Sequence, residues 1–154
     1  DRETLRRYFE GVRAELADGG AFFVDLFGGP ETQTELEEER KLSGFTYVWD
    51  QSRFNPVDST ATNYIHFRFR DGTSIDKAFT YKWRLWSLVE VRTLLHEAGF
   101  ANVDTYWEGE DEKGEGNGVF RKTKSAPADL CYNAYMVAHG RTTSQRRSKT
   151  SSAK

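Results

Sequence analysis

The sequence predicts an α/β fold carrying an antiparallel β insertion, on three observations. Residues 5–27 and 87–107 each read as a helix, a glycine stop and a strand, the return step of an α/β sheet. Between these units the apolar period changes from helical to strictly alternating. The chain has 154 residues, enough for one domain burying roughly 70% of the surface its unfolded form exposes.

In the first unit Leu5, Phe9, Val12 and Leu16 share one helical face, with Arg6, Arg7, Arg13 and Glu15 mostly outside it. Asp18-Gly19-Gly20 breaks the helix. Residues 21–27 then form a strand that is apolar almost throughout, the pattern expected where helices cover both sheet faces. Gly28-Gly29-Pro30 ends it. Asp25, the polar exception, is read either as a capped or salt-bridged carboxylate or as a group at the ligand-binding rim of a parallel sheet.

The middle of the chain comes next. Residues 34–41 are a charge run (Glu35, Glu37, Glu38, Glu39), expected to be a solvated helix or mobile loop. Residues 45–51 alternate, placing Phe45, Tyr47, Trp49 and Gln51 on one side. Residues 63–70 alternate again: Ile65, Phe67 and Phe69 oppose Tyr64, His66, Arg68 and Arg70. Asp71-Gly72 signals a hairpin, and residues 73–83 return as a third strand. We expect roughly three antiparallel strands here, overhanging the end of the strand at 21–27.

The second unit carries the sharpest local signals. Ser87 and Glu90 make a capping box, Leu88, Val91, Leu94, Leu95 and Ala98 form an apolar stripe, and Gly99 supplies a left-handed stop. Phe100 packs back, and a strand alternates Val103, Thr105 and Trp107 with Asn102, Asp104 and Tyr106. A polar loop at 108–118, a segment at 119–124 and a last strand at 130–139 complete the reading. Gly114, Gly116 and Gly118 have nucleotide-loop spacing, but no strand precedes and no helix follows, so a flexible hairpin tip is expected.

Charge narrows the function classes. Residues 141–154 carry +5 and no acid within a net charge of −2, so residues 1–140 carry −7. The acidic body argues against specific nucleic-acid binding, and the Ser/Thr-rich basic tail at 141–154 is expected to be disordered. No run of eighteen apolar residues or secretory leader is visible, so no membrane partner and a cytoplasmic location are expected. Asp1 in place of methionine suggests a processed, trimmed or partial chain. Cys131, the single cysteine, reads as a buried free thiol.

Taken in order, Leu5, Tyr8-Phe9, Val12, Leu16, Gly19-Gly20-Ala21-Phe22 and Asp25, then Tyr81-Lys82-Trp83-Arg84-Leu85-Trp86-Ser87, Glu90, Leu94-Leu95 and Ala98-Gly99-Phe100, resemble the C-terminal half of a class I S-adenosylmethionine-dependent methyltransferase. The resemblance implies a partial Rossmann-like methyltransferase sheet, its fifth to seventh strands with two helices, the seventh strand lying between the fifth and sixth. It makes residues 1–140 the substrate-side half, with the β insertion at about 31–83. It also implies S-adenosylmethionine as cofactor of a complete enzyme and a small-molecule methyl acceptor. The family's N-terminal glycine-rich loop and acidic strand end do not occur here in the right context, so cofactor-binding residues are unknown and the isolated chain is expected to be inactive. An open sheet edge, where a further strand should pair, is expected to favour association.

Within that resemblance the aromatic residues Tyr47, Trp49, Tyr64, Tyr81 and Trp83 are candidate walls for the acceptor, and Phe27 and Gly28 the backbone bordering it. His66 is the candidate base, weighed against a structural hydrogen-bonded histidine. Arg84 either clamps an anionic acceptor or ties the insertion down through Asp25 or Asp76. His96 and His139 are read as structural, and three histidines without paired carboxylate spacing suggest no metal site. The competing reading is a non-enzymatic ligand-binding or protein-interaction module with an aromatic β-rich pocket.

Overall fold

The computed structural model describes residues 1–112, 114 and 116–140, and the basic tail lies outside the described residues. In chain order the elements are α1 (Arg2–Glu15), β1 (Ala21–Gly28), a 3-10 turn (Pro30–Gln33), β2 (Leu36–Lys41), β3 (Phe45–Asn55), β4 (Thr60–Phe69), β5 (Ser74–Arg84), α2 (Leu88–Glu97), β6 (Asn102–Glu110), β7 (Gly116–Thr123) and β8 (Tyr132–His139). They divide into two units. One holds residues 1–26, 87–127 and the described residues from 132 onward; the other holds residues 27–86 and 128–131.

In the first unit the strand order is β1-β8-β6-β7. β8 runs antiparallel to β6, with Asn102 opposite His139 and Thr105 opposite Met136. Gly140, just past β8, donates its N–H to the carbonyl of Gly20, just before β1. β8 therefore also runs against β1, which leaves β1 and β6 parallel to each other with β8 between them. β8 reads Tyr-Asn-Ala-Tyr-Met-Val-Ala-His, and Ala134, Met136, Val137 and Ala138 are all buried, as a central strand requires.

The helices follow their sequence signals. Asp1 caps α1 by accepting the Thr4 N–H at 2.8 Å. Ser87 and Glu90 form the expected reciprocal box on α2, and Gly99 turns the chain at φ +93°. Ser87→Ala is expected to cost about 1 kcal/mol, read as a lowered urea midpoint. Phe22 from β1 meets Phe9 of α1 edge-on at 5.8 Å between ring centroids and stacks on Phe100, after α2, at 6.3 Å. Val91, Leu94 and Leu95 fill the core beside them.

Two expectations are corrected in this unit. β1 is not covered on both faces: Phe22, Val24 and Leu26 turn inward while Phe23 is 64% exposed. Its long apolar run reflects an edge strand with helices on one side only. The polar stretch at 108–118 is also shorter as a loop than expected, because β6 continues to Glu110, which faces Gly116 of β7 across an antiparallel pair. Gly116 and Gly118 accordingly lie in strand β7.

Asp104 on β6 is held by Lys122 at 2.7 Å and His139 at 3.2 Å. The Lys122 ammonium holds its carboxyl below the usual carboxylate range; burial opposes this and the His139 ring adds to it. A carboxyl lowered on folding adds stability above its unfolded pKa of about 4, and that contribution is lost as pH falls through the lower folded value. In urea titrations, Asp104→Asn is expected to make stability fall less steeply on acidification below about pH 4.

In the second unit β2, β3, β4 and β5 form an antiparallel meander in that order. The insertion therefore has four strands where three were expected. The extra one is β2, in place of the helix or loop predicted at 34–41. Leu36-Glu-Glu-Glu-Arg-Lys41 pairs residue for residue with Gln51 to Thr46 of β3. Its charges sit at a sheet edge, where they discourage further pairing. Arg68 of β4 crosses to Glu37 and Glu39 of β2 and ties that edge down. Among the described residues, no helix is long and apolar enough to cross a membrane.

Candidate functional site

The register of the meander decides which candidate residues share a face. Trp49 lies opposite Ile65, Gln51 opposite Asn63, and Tyr47 opposite Phe67. Tyr81 then lies opposite Asn63, and Trp83 opposite Ala61. Directly opposed residues point to the same side of a sheet. One face consequently gathers Phe45, Tyr47, Trp49, Gln51, Asn63, Ile65, Phe67, Phe79, Tyr81 and Trp83.

Five of the candidates meet there. Tyr81 and Trp83 have ring centroids 4.8 Å apart, and Trp49 lies 6.0 Å from each. Phe27, just inside this unit, sits edge-on to Trp49 at 6.1 Å and to Trp83 at 6.2 Å. Burial first, and the neighbouring Tyr81 second, push the Tyr47 phenol above its ordinary pKa. At neutral pH it is a protonated hydrogen-bond donor.

The segment at 28–34 is pinned across this face. Gly29 has φ +107° and passes so close to Leu130 and Cys131 that a β-carbon would lie 2.7 Å from the Leu130 carbonyl carbon. Glu31 donates its N–H to the Leu130 carbonyl at 2.9 Å. Thr32, buried, bonds its hydroxyl to the Gly29 carbonyl at 2.7 Å. Gln51 is 5% exposed, and its amide donates to the carbonyls of Glu31 and Thr34 at 3.0 Å and 2.9 Å. Sequence reading did not assign Gln51 a role. The signal was there, because a lone amide in an alternating aromatic strand face needs polar partners when buried.

Tyr64 and His66 do not join this wall. Asp50 lies opposite Tyr64 and Val48 opposite His66, so both candidates point to the other face of the sheet. There the His66 Nδ1 accepts the Lys77 backbone N–H at 3.1 Å, and its Nε2 lies 3.2 Å from an Asp50 carboxylate oxygen. Nδ1 as acceptor requires the proton on Nε2, so the ring's lone pair is committed to the backbone. This contact holds a bulge in β5 where Lys77 takes φ +51°. The Lys77 ammonium lies 4.3 Å from the Tyr64 ring centre.

Arg84 stacks its guanidinium over Trp86 at 3.9 Å, and Trp107 packs on Tyr132 at 4.4 Å. His96 bonds the Phe100 carbonyl at 2.9 Å. Cys131 is exposed, against the buried thiol expected, because the last strand begins one residue later, at Tyr132. Desolvation raises its thiol pKa, with Glu31 and Glu38 adding to the effect.

The aromatic face can hold a planar or apolar group by ring stacking and stabilise a cation beside it. Gly114, Gly116 and Gly118, the glycines with nucleotide-loop spacing, do not fit an S-adenosylmethionine site. Gly116 and Gly118 lie within β7, which pairs antiparallel with β6, where a cofactor loop needs a strand before it and a helix after it.

By sequence alone, no family model and no curated protein matches the chain. Solved structures do match it. An S-adenosylmethionine-dependent methyltransferase from Clostridium acetobutylicum superposes with a TM-score of 0.59 at 14% identity, covering 92% of this chain and 52% of its own. The CcbJ methyltransferase from Streptomyces caelestis gives 0.59 and 14%, covering 92% of this chain and 54% of its own. The chain thus shares an α/β fold with S-adenosylmethionine-dependent methyltransferases and spans about half the length of these two.

Proposed function

We propose that this chain is the C-terminal, substrate-side half of a methyltransferase that moves a methyl group from S-adenosylmethionine to a small-molecule acceptor. The observation that carries the reading is the strand order β1-β8-β6, an antiparallel strand between two parallel ones, in a fold shared with two such enzymes over 92% of the chain. Phe27, Gly28, Tyr47, Trp49, Tyr81 and Trp83 wall the acceptor, with Arg84 beside them. His66 is left out of the chemistry because its lone pair is already used. The cofactor contacts belong to a segment outside this chain. Such a reaction draws its rate chiefly from holding donor and acceptor in line, which a rigid aromatic wall supports.

The free edge of β1 is where a further strand pairs in this proposal. It has one charged residue in eight, whereas the β2 edge has five in six. Nothing in its side chains discourages strand addition. We place the protein in the cytoplasm, where a reducing environment keeps the exposed Cys131 unpaired.

Calorimetry with S-adenosylmethionine tests the reading, on this chain and on one extended upstream. Saturable binding by the extended chain alone is the expected result; no binding by either overturns it. That second result leaves the competing reading, a non-enzymatic binding module using the same aromatic face, which the half-exposed Ile75 and Phe79 favour. In the extended chain, Trp49→Ala is expected to lower acceptor turnover at unchanged cofactor affinity.

A further inference from the structure

We propose that His66 is a proton-operated clasp on β5, closed while the ring is neutral and opened when the ring takes up a second proton. The clasp is independent of the methyl-transfer reading. It lies on the face of the β2–β5 sheet opposite the Trp49–Trp83 cluster, because Val48 and not Trp49 stands across from His66.

An uneven register creates it. Ile65 pairs with Phe79 and Phe67 with Ile75, so the one β4 residue between them, His66, faces three on β5, Asp76, Lys77 and Ala78. Lys77 takes φ +51°, a left-handed conformation that a lysine keeps only where other contacts hold it. Two contacts do so. Its N–H donates to His66 Nδ1 at 3.1 Å, and its ammonium lies 4.3 Å from the Tyr64 ring centre. The first exists only while Nδ1 keeps its lone pair.

The charged ring has partners in place as well. Nε2 lies 3.2 Å from an Asp50 carboxylate oxygen, and Asp76 sets a carboxylate oxygen 3.6 Å from Nδ1. A second ring proton turns Nδ1 from acceptor into donor, and each ring nitrogen then donates to a carboxylate. In the same event the Lys77 N–H loses its acceptor. The imidazolium also adds a like charge to the Lys77 ammonium, since both adjoin the Tyr64 ring. Arg68, next on this face of β4, is engaged by Glu37 and Glu39 of β2, so Asp50, Asp76 and Lys77 are the charges that bear on the ring directly. The His66 side chain is 12% exposed and that of Asp76 76%, so protons reach the ring from solvent without unfolding. Opening frees residues 76–78, and the half-exposed Ile75 and Phe79 that flank them on the aromatic face move too.

Solution NMR on the whole chain tests the clasp between about pH 8 and about pH 5, the interval in which a histidine side chain serves as a switch. The Lys77 amide and Ile75 methyl resonances are expected to move with the His66 ring resonances through one midpoint. Protection of the Lys77 amide from solvent exchange, corrected for the intrinsic effect of pH, should fall about tenfold across it. His66→Asn keeps an acceptor oxygen near the place of Nδ1 without a titrating ring, so its Lys77 amide should stay protected throughout. Asp76→Asn, at an exposed position, should leave the neutral form intact and move the transition to lower pH. Native-like spectra elsewhere verify the fold of each variant. A ring that stays neutral throughout, a Lys77 amide that keeps its protection while the ring titrates, loss of protection in His66→Asn, or a transition unmoved by Asp76→Asn would each overturn the proposal.

Discussion

Gly29→Ala is expected to destabilise the β2–β5 unit by about 3 kcal/mol or more, because two costs combine. At φ +107° an alanine is strained wherever it sits. Here its β-carbon would also press on backbone, 2.7 Å from the Leu130 carbonyl carbon and 3.0 Å from the Cys131 Cα. Backbone yields only by moving, and movement breaks the Glu31 N–H bond to the Leu130 carbonyl. Gly72→Ala is the comparison. Gly72 has a similar φ of +85° but open space around it, so the expected cost is only about 1 kcal/mol. Urea midpoints read the difference, and tryptophan fluorescence should change with Gly29→Ala because Phe27 rests on Trp49 and Trp83. Equal costs at the two glycines would sink the crowding argument.

Phe100→Ala should remove about 3–5 kcal/mol from the other unit. Phe100 is 2% exposed and stacks on Phe22, which also meets Phe9 edge-on. Truncation leaves a cavity between rigid rings, and the glycine turn at 99 restricts how far the chain can collapse into it. Phe23→Ala, one residue along β1 from Phe22 and facing outward, should change stability by no more than about 0.5 kcal/mol. The contrast tests the assignment of the two β1 faces, and a large loss at Phe23 would reverse it.

The features legible in the sequence were those written in neighbouring residues. The Ser87–Glu90 cap, the stripe on α2 and the Gly99 stop each need only a few consecutive positions, and all three are present. Alternation likewise revealed β3 and β4, and the Asp71-Gly72 turn signal led to β5. β2 escaped because five charges in six residues show no period. It is a strand because β3 offers it a partner, and pairing partners are not local information. The candidate wall failed at Tyr64 and His66 for a related reason. Alternation correctly separated them from Ile65 and Phe67 on their own strand. Which side of β4 joins Trp49 depends on register, set by the connection between β3 and β4. The double coverage expected of β1 was read from composition, which a one-sided edge strand can share with a buried one.

The position of β8 bears on how the molecule is made. β8 follows β1 and β6 in the chain yet lies between them in the sheet, so those two strands emerge from the ribosome with the slot between them vacant. Until residues near 139 are released, neither can hydrogen-bond through that side. Nascent chains stalled before Tyr132 should consequently remain protease-sensitive in the α1–β1 region, however long they are given to fold.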